Sequence, residues 1–174
     1  MKKNLSRRSF MRYGSAACAL LLGGTFLSGG GAARISAQTA AQNKVPDRGP
    51  RLDLETVNQF VIAGHFNLVK VKEMLAKEPK LINSAWDWGG GDWETALGGA
   101  SHVGNREIAE FLIKNGARMD VFAAAMLDKI DFVKAAVKAF SENRSILGPH
   151  GITLYAHAEK GKAAKVLKYL DSLK

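Results

Sequence analysis

Trp93-Glu94-Thr95-Ala96-Leu97-Gly98-Gly99-Ala100-Ser101-His102-Val103-Gly104-Asn105-Arg106-Glu107-Ile108-Ala109-Glu110-Phe111-Leu112-Ile113-Lys114-Asn115-Gly116-Ala117 is the stretch whose reading decides the fold. Its second half places Ile108, Phe111 and Leu112 at i, i+3, i+4 spacing, the signature of one apolar helix face. Its first half, Thr95 to Val103, reads as a shorter helix of small residues, and Gly104 supplies the left-handed position at which a chain reverses. The whole is therefore a helix pair. Gly98, Gly99 and Ala100 leave room for a neighbouring helix to approach closely.

The same plan recurs on both sides. Val71, Met74 and Leu75 form one further stripe, Phe132, Val133, Ala136, Val137 and Phe140 another, and Val166, Leu167, Tyr169 and Leu170 a last one. A shorter helix is expected ahead of each: Leu54 to Ala63, Val121 to Leu127 and Thr153 to Lys160. Gly64 and Gly161 are read as left-handed terminators like Gly104, with Asp128 taking that place in the third pair. No single pair can bury its apolar face alone, so the four are expected to stack.

The central stretch resembles one ankyrin repeat, whose family pattern runs Thr-Pro-Leu-His-x-Ala-Ala-x-x-Gly and then Ile-Val-x-Leu-Leu-Leu-x-x-Gly-Ala. Gly151-Ile152-Thr153-Leu154-Tyr155-Ala156-His157-Ala158 is similar to the start of another, with the proline missing; Ala96 replaces that proline in the central repeat. The resemblance implies an all-α, ankyrin-like helix-turn-helix repeat solenoid of about four irregular repeats, near 52–83, 84–117, 118–143 and 148–174. It also implies a protein-binding module, without identifying the partner. The spacing is irregular because Ser84 to Trp93 inserts a loop and Gly116 to Asp120 runs directly into Val121.

The N-terminal segment has a different character. Residues 1–41 carry Lys2, Lys3, Arg7, Arg8, Arg12 and Arg34 and no Asp or Glu. They hold six of the nine net positive charges, which leaves 19 basic and 16 acidic residues in the remainder. That balance removes the main support for nucleic-acid binding. Basic residues followed by an apolar run from Tyr13 to about Ala33, then small residues, have the layout of a signal peptide. Ser6-Arg7-Arg8-Ser9-Phe10-Met11-Arg12 resembles the twin-arginine export motif, with Arg7 and Arg8 as its core.

The expected organisation is a signal peptide over 1–37, cleaved somewhere in 33–41, a flexible linker over 38–51 and a repeat domain over 52–174. The resemblance implies a periplasmic or exported protein that touches the membrane only in transit, with an uncleaved membrane anchor as the alternative. Cys18, the one cysteine, lies within the apolar run. A cleaved chain would then hold neither disulfide nor thiol.

All three tryptophans fall within Trp86-Asp87-Trp88-Gly89-Gly90-Gly91-Asp92-Trp93. Aromatic rings on a glycine-rich loop make a recognition patch, because tryptophan is enriched among binding hot spots. Trp86, Asp87, Trp88, Asp92 and Trp93 are the candidate binding residues, although rings folded back over the repeat junction are an equal expectation and Trp93 is expected to be structural. Asp87, Asp92 and Glu94 lack the ligand spacing of a cation loop and read as solvated. His65, His102, His150 and His157 match no metal motif by spacing, and a zinc or proton-transfer site would need two or three of them to converge. His157 is expected to be a hydrogen-bonded structural residue, and Gly148-Pro149-His150-Gly151 a turn.

No nucleophile elbow, phosphate loop or dinucleotide fingerprint is present. Lys160, Lys162, Lys165, Lys168 and Lys174 read as a solvated basic end. The expectation is a non-enzymatic, monomeric scaffold with a protein partner, no catalytic residue, no metal and no cofactor. The alternative is a small-molecule-, metal- or cofactor-linked accessory protein or enzyme of the periplasm.

Overall fold

Alternating short and long apolar stripes become helices wherever the chain also supplies a cap. The computed structural model describes residues 48–174; the expected export motif at Arg7 and Arg8, the expected signal peptide and most of the expected linker lie outside them. The described residues are mainly helical, with eight α-helices and one two-stranded hairpin. The helices are α1 (Leu54–Phe66), α2 (Leu68–Lys77), α3 (Ala96–Val103), α4 (Arg106–Lys114), α5 (Val121–Met126), α6 (Ile130–Ala139), α7 (Leu154–Lys160) and α8 (Ala164–Asp171). The strands β1 (Ala85–Asp87) and β2 (Trp93–Thr95) lie between α2 and α3. Among the described residues no helix is long and apolar enough to cross a membrane.

Six helices start at a side-chain cap, which satisfies an otherwise unpaired N–H of the first turn. Asp53, Asn67, Thr95, Asn105, Asp120 and Thr153 accept from the backbone N–H three residues ahead. The last helix has Ala163 at this position and is capped from another pair instead: Asp128 Oδ1 accepts from Val166 N at 3.0 Å. Two further cross-links tie the pairs together. Asn83 accepts from Arg118 N and donates to the Gly116 carbonyl, while the Arg106 guanidinium donates to the carbonyls of Met126 and Leu127.

Packing follows the pair pattern. The first helices of the pairs, α1, α3, α5 and α7, touch in sequence, and each is joined to the helix that follows it; α1, with 13 residues, is longer than the ten-residue α2, against the shorter helix expected there. α7 also touches α3, because the intervening α5 is only six residues long and does not separate them. Two apolar clusters result. One is built on Phe60, Val61, Leu81, Ile108 and Leu112, the other on Val133, Leu154, Val166 and Leu170, with Met119 against both.

Three sequence expectations change. Gly64 lies inside α1, not at its end, and a Cβ there would meet the Ala96 carbonyl oxygen at 2.5 Å. Gly161 has an ordinary helical φ of −78°, and the left-handed residue is its neighbour Lys162. Both glycines serve close helix approach; Gly104 and Asp128 do adopt the left-handed conformation. Phe132 and Phe140 are exposed, because the buried face of α6 is the narrower one through Val133 and Val137.

Candidate functional site

The Trp86–Trp93 stretch is a hairpin whose shape comes from its glycines. Trp86 pairs with Glu94 across the strands, and Gly89, Gly90 and Gly91 all take positive φ, which side chains other than glycine rarely adopt. Asp87 braces this turn by accepting from the N–H groups of Gly89 and Gly91 at 2.9 and 3.2 Å. Its carboxylate is thus committed to the loop itself.

Alternation along β2 decides which residues face inward. Trp93 points out and is 60% exposed, so the expected structural role for it does not hold; Thr95 and Trp93 flank Glu94, which is 1% exposed. The solvated reading of Glu94 is likewise overturned. Trp86 packs against the first apolar cluster, and Trp88, 40% exposed, donates its indole N–H to Glu94 Oε2 at 2.9 Å. The five proposed binding residues therefore divide: Trp93 faces solvent, Trp88 and Asp92 attend the interior, and Trp86 and Asp87 hold the hairpin.

Around Glu94 three histidines converge from distant parts of the chain. His65 comes from the last turn of α1, His102 from α3 and His150 from the turn before α7. His102 Nδ1 lies 3.0 Å from Glu94 Oε1, while the Nε2 atoms of His65 and His150 each lie 3.5 Å from Oε2. The rings meet edge to face, with centroids 4.9 Å apart for His65 and His102 and 5.2 Å for His102 and His150.

Two of the three rings are fixed from behind. His65 Nδ1 donates to the Val61 carbonyl at 3.0 Å. Asp92 takes both the backbone N–H and the Nδ1 of His150, at 2.9 and 2.8 Å. His150 is held there in a left-handed conformation, φ 60°, which is uncommon for a residue with a side chain. Strain of that kind at a convergence of polar groups is a pointer to a functional site.

Electrostatics agree with a carboxylate at the centre. Burial pushes the Glu94 carboxyl up, but the His102 contact, the charge of His65 and the Trp88 N–H outweigh it and leave the group below its ordinary value. The backbone N–H of His150 draws the Asp92 carboxyl down, against some burial. No protein-family model matches this chain, and neither a curated protein nor a solved structure gives a significant match.

Sequence spacing could not have found this cluster. The ligand-type residues sit on four separate elements, and the only local signal is the acid pair Asp92 and Glu94 beside three tryptophans. His157 stands apart as a buried residue whose Nδ1 bonds the Thr153 carbonyl at 2.8 Å and whose ring packs on Phe122. Burial lowers its pKa from the ordinary histidine value, only partly offset by the Thr153 bond. A depressed folded-state pKa gives stability that is present above the unfolded value, about 6.5, and lost as the pH falls. Thermal melts from about pH 7.5 to about pH 5 should show the midpoint falling in the parent and falling less in His157→Gln. An equal fall in both would mean that His157 does not carry this dependence.

Proposed function

We propose that this chain is an exported, ankyrin-like binding module of the cell envelope that receives a protein partner beside its hairpin. The reading rests on one observation above all, the apolar rim of the groove between the hairpin and the segment before α7. That groove, about 340 Å³, is lined by Asp92, Trp93, Thr95, Asp120, Phe122 and Leu147. Trp93 and Leu147 are both exposed large apolar residues. The four helix pairs, with a hairpin ahead of the second, support the ankyrin-like description, in which fingers and shorter helices form the partner-facing side. The export motif at Arg7 and Arg8 supports the envelope location.

Affinity capture from envelope extract tests this reading. A double variant, Trp93→Ala with Leu147→Ala, removes two rim side chains that carry no hydrogen bonds to the Glu94 cluster. Recovery of the partner is expected to fall at least about tenfold, the effect of losing one anchor residue worth about 1.4 kcal/mol. Undiminished recovery by a variant with the parent's helical content would remove the groove as the binding surface.

A further inference from the structure

We propose that His65, Glu94, His102 and His150 bind one divalent first-row transition-metal ion of the zinc class, which fastens the hairpin and the turn before α7 to the first two helix pairs. Each of the four residues offers one ligand atom, and these atoms all lie within 4.8 Å of one another. A tetrahedral ion with bonds of about 2.0–2.1 Å spaces its ligand atoms by about 3.3 Å. The two rings that face Glu94 Oε2 lie 3.5 Å from it, close to that spacing, and His102 lies 3.0 Å from the other oxygen of the same carboxylate.

The hydrogen bonds behind the rings orient them as ligands. A carbonyl can only accept, so His65 Nδ1 carries its hydrogen toward Val61, which in the neutral tautomer puts the lone pair on Nε2. Asp92 does the same for His150 through a carboxylate, the outer partner that commonly fixes a metal-bound imidazole. Two lone pairs then face one carboxylate oxygen. Positive charge shared among the three groups holds them together, and with both rings neutral a metal ion supplies it.

Unsatisfied atoms give an independent sign. Glu94 Oε1 and His102 Nδ1 are buried and 3.0 Å apart, yet neither has a hydrogen-bond partner of acceptable geometry. Buried polar atoms are seldom left so, and a missing ion is one reason for it. Two ligand atoms on one ion touch in this way without bonding to each other. The left-handed backbone at His150 is accounted for as well, since it brings Nε2 of that ring to the same point.

The donor set selects the metal class. Three imidazoles and one carboxylate suit zinc, cobalt or nickel, whereas calcium and magnesium require oxygen ligands. Four protein ligands complete a tetrahedral shell, so the role is structural. The ion joins α1, β2, α3 and the Pro149–Gly151 turn, which no continuous helix connects.

Full-length chain stripped by chelator and titrated with Zn(II) and then Co(II) tests the assignment, by calorimetry, visible absorption and thermal melting. One ion per chain is expected, with the intense visible bands of four-coordinate Co(II) and a melting temperature that rises with Zn(II) concentration. Glu94→Gln, His102→Ala and His150→Ala should each weaken binding at least about 100-fold, and Asp92→Asn, which loosens His150, about tenfold. His157→Gln, outside the cluster, should bind as the parent does. His150 lies on a turn, so its variant reports on binding even where a buried substitution unfolds the chain. Absence of stoichiometric binding, or parent-like binding in folded His150→Ala and Glu94→Gln, would overturn the assignment.

Discussion

Gly161→Ala is expected to destabilise the protein by about 3 kcal/mol or more, near the upper end for overpacking and a large share of the roughly 5–15 kcal/mol by which domains are stable. Gly161 has ordinary helical dihedrals, so the cost does not arise from its φ. A Cβ there would fall well inside contact distance of the Met126 carbonyl oxygen and 2.6 Å from the carbonyl carbon. Both are backbone atoms at the end of α5 and cannot swing aside as a side chain could. Relief requires the end of α7 to move away from α5, which opens the second apolar cluster. Gly116→Ala is the comparison: its φ is +97° but nothing lies within 4 Å of the added methyl, so only a backbone cost of about 1–2 kcal/mol is expected. Urea midpoints of the two variants measure the difference. An equal loss in both would mean that α5 and α7 do not approach as closely as described.

Phe60→Ala is expected to cost about 3–5 kcal/mol, the range for truncating a fully buried aromatic. Phe60 has no solvent exposure and belongs to the first apolar cluster with Val61, Leu81, Ile108 and Leu112. About one and two-thirds turns along the same helix, Phe66 is 76% exposed. Its replacement by alanine should change stability by no more than about 0.5 kcal/mol. Both variants alter the same residue type on α1, so helix propensity nearly cancels and burial is what remains. A drop in urea midpoint with unchanged slope would place the Phe60 effect in the folded core.

The helix pairs were legible because their information is local. Apolar positions three and four residues apart define a face whatever the rest of the chain does, and Leu54, Thr95, Val121 and Thr153 mark helix starts to within about a residue. The glycines were less legible. A glycine at a helix end serves either a left-handed turn, as Gly104 does, or a close neighbour, as Gly161 does, and the residue type is the same in both cases. The facing of Trp93 and Glu94 is not legible for a related reason. Which of two adjacent residues faces inward depends on the register of β2 against β1, and a three-residue strand carries too short a pattern to declare it.

The Glu94 cluster was not legible at all from spacing. Recognisable metal motifs place two ligands on one helix or one turn, where periodicity fixes their distance. Here the nearest pair in sequence, Glu94 and His102, straddles a strand-to-helix junction, and His65 and His150 are 85 residues apart. By itself the sequence determined that four helix pairs would form, because capping and apolar periodicity act within a few residues. Only the tertiary structure decided that three imidazoles would meet one buried carboxylate, because that meeting depends on how α1, the hairpin, α3 and the turn before α7 pack together.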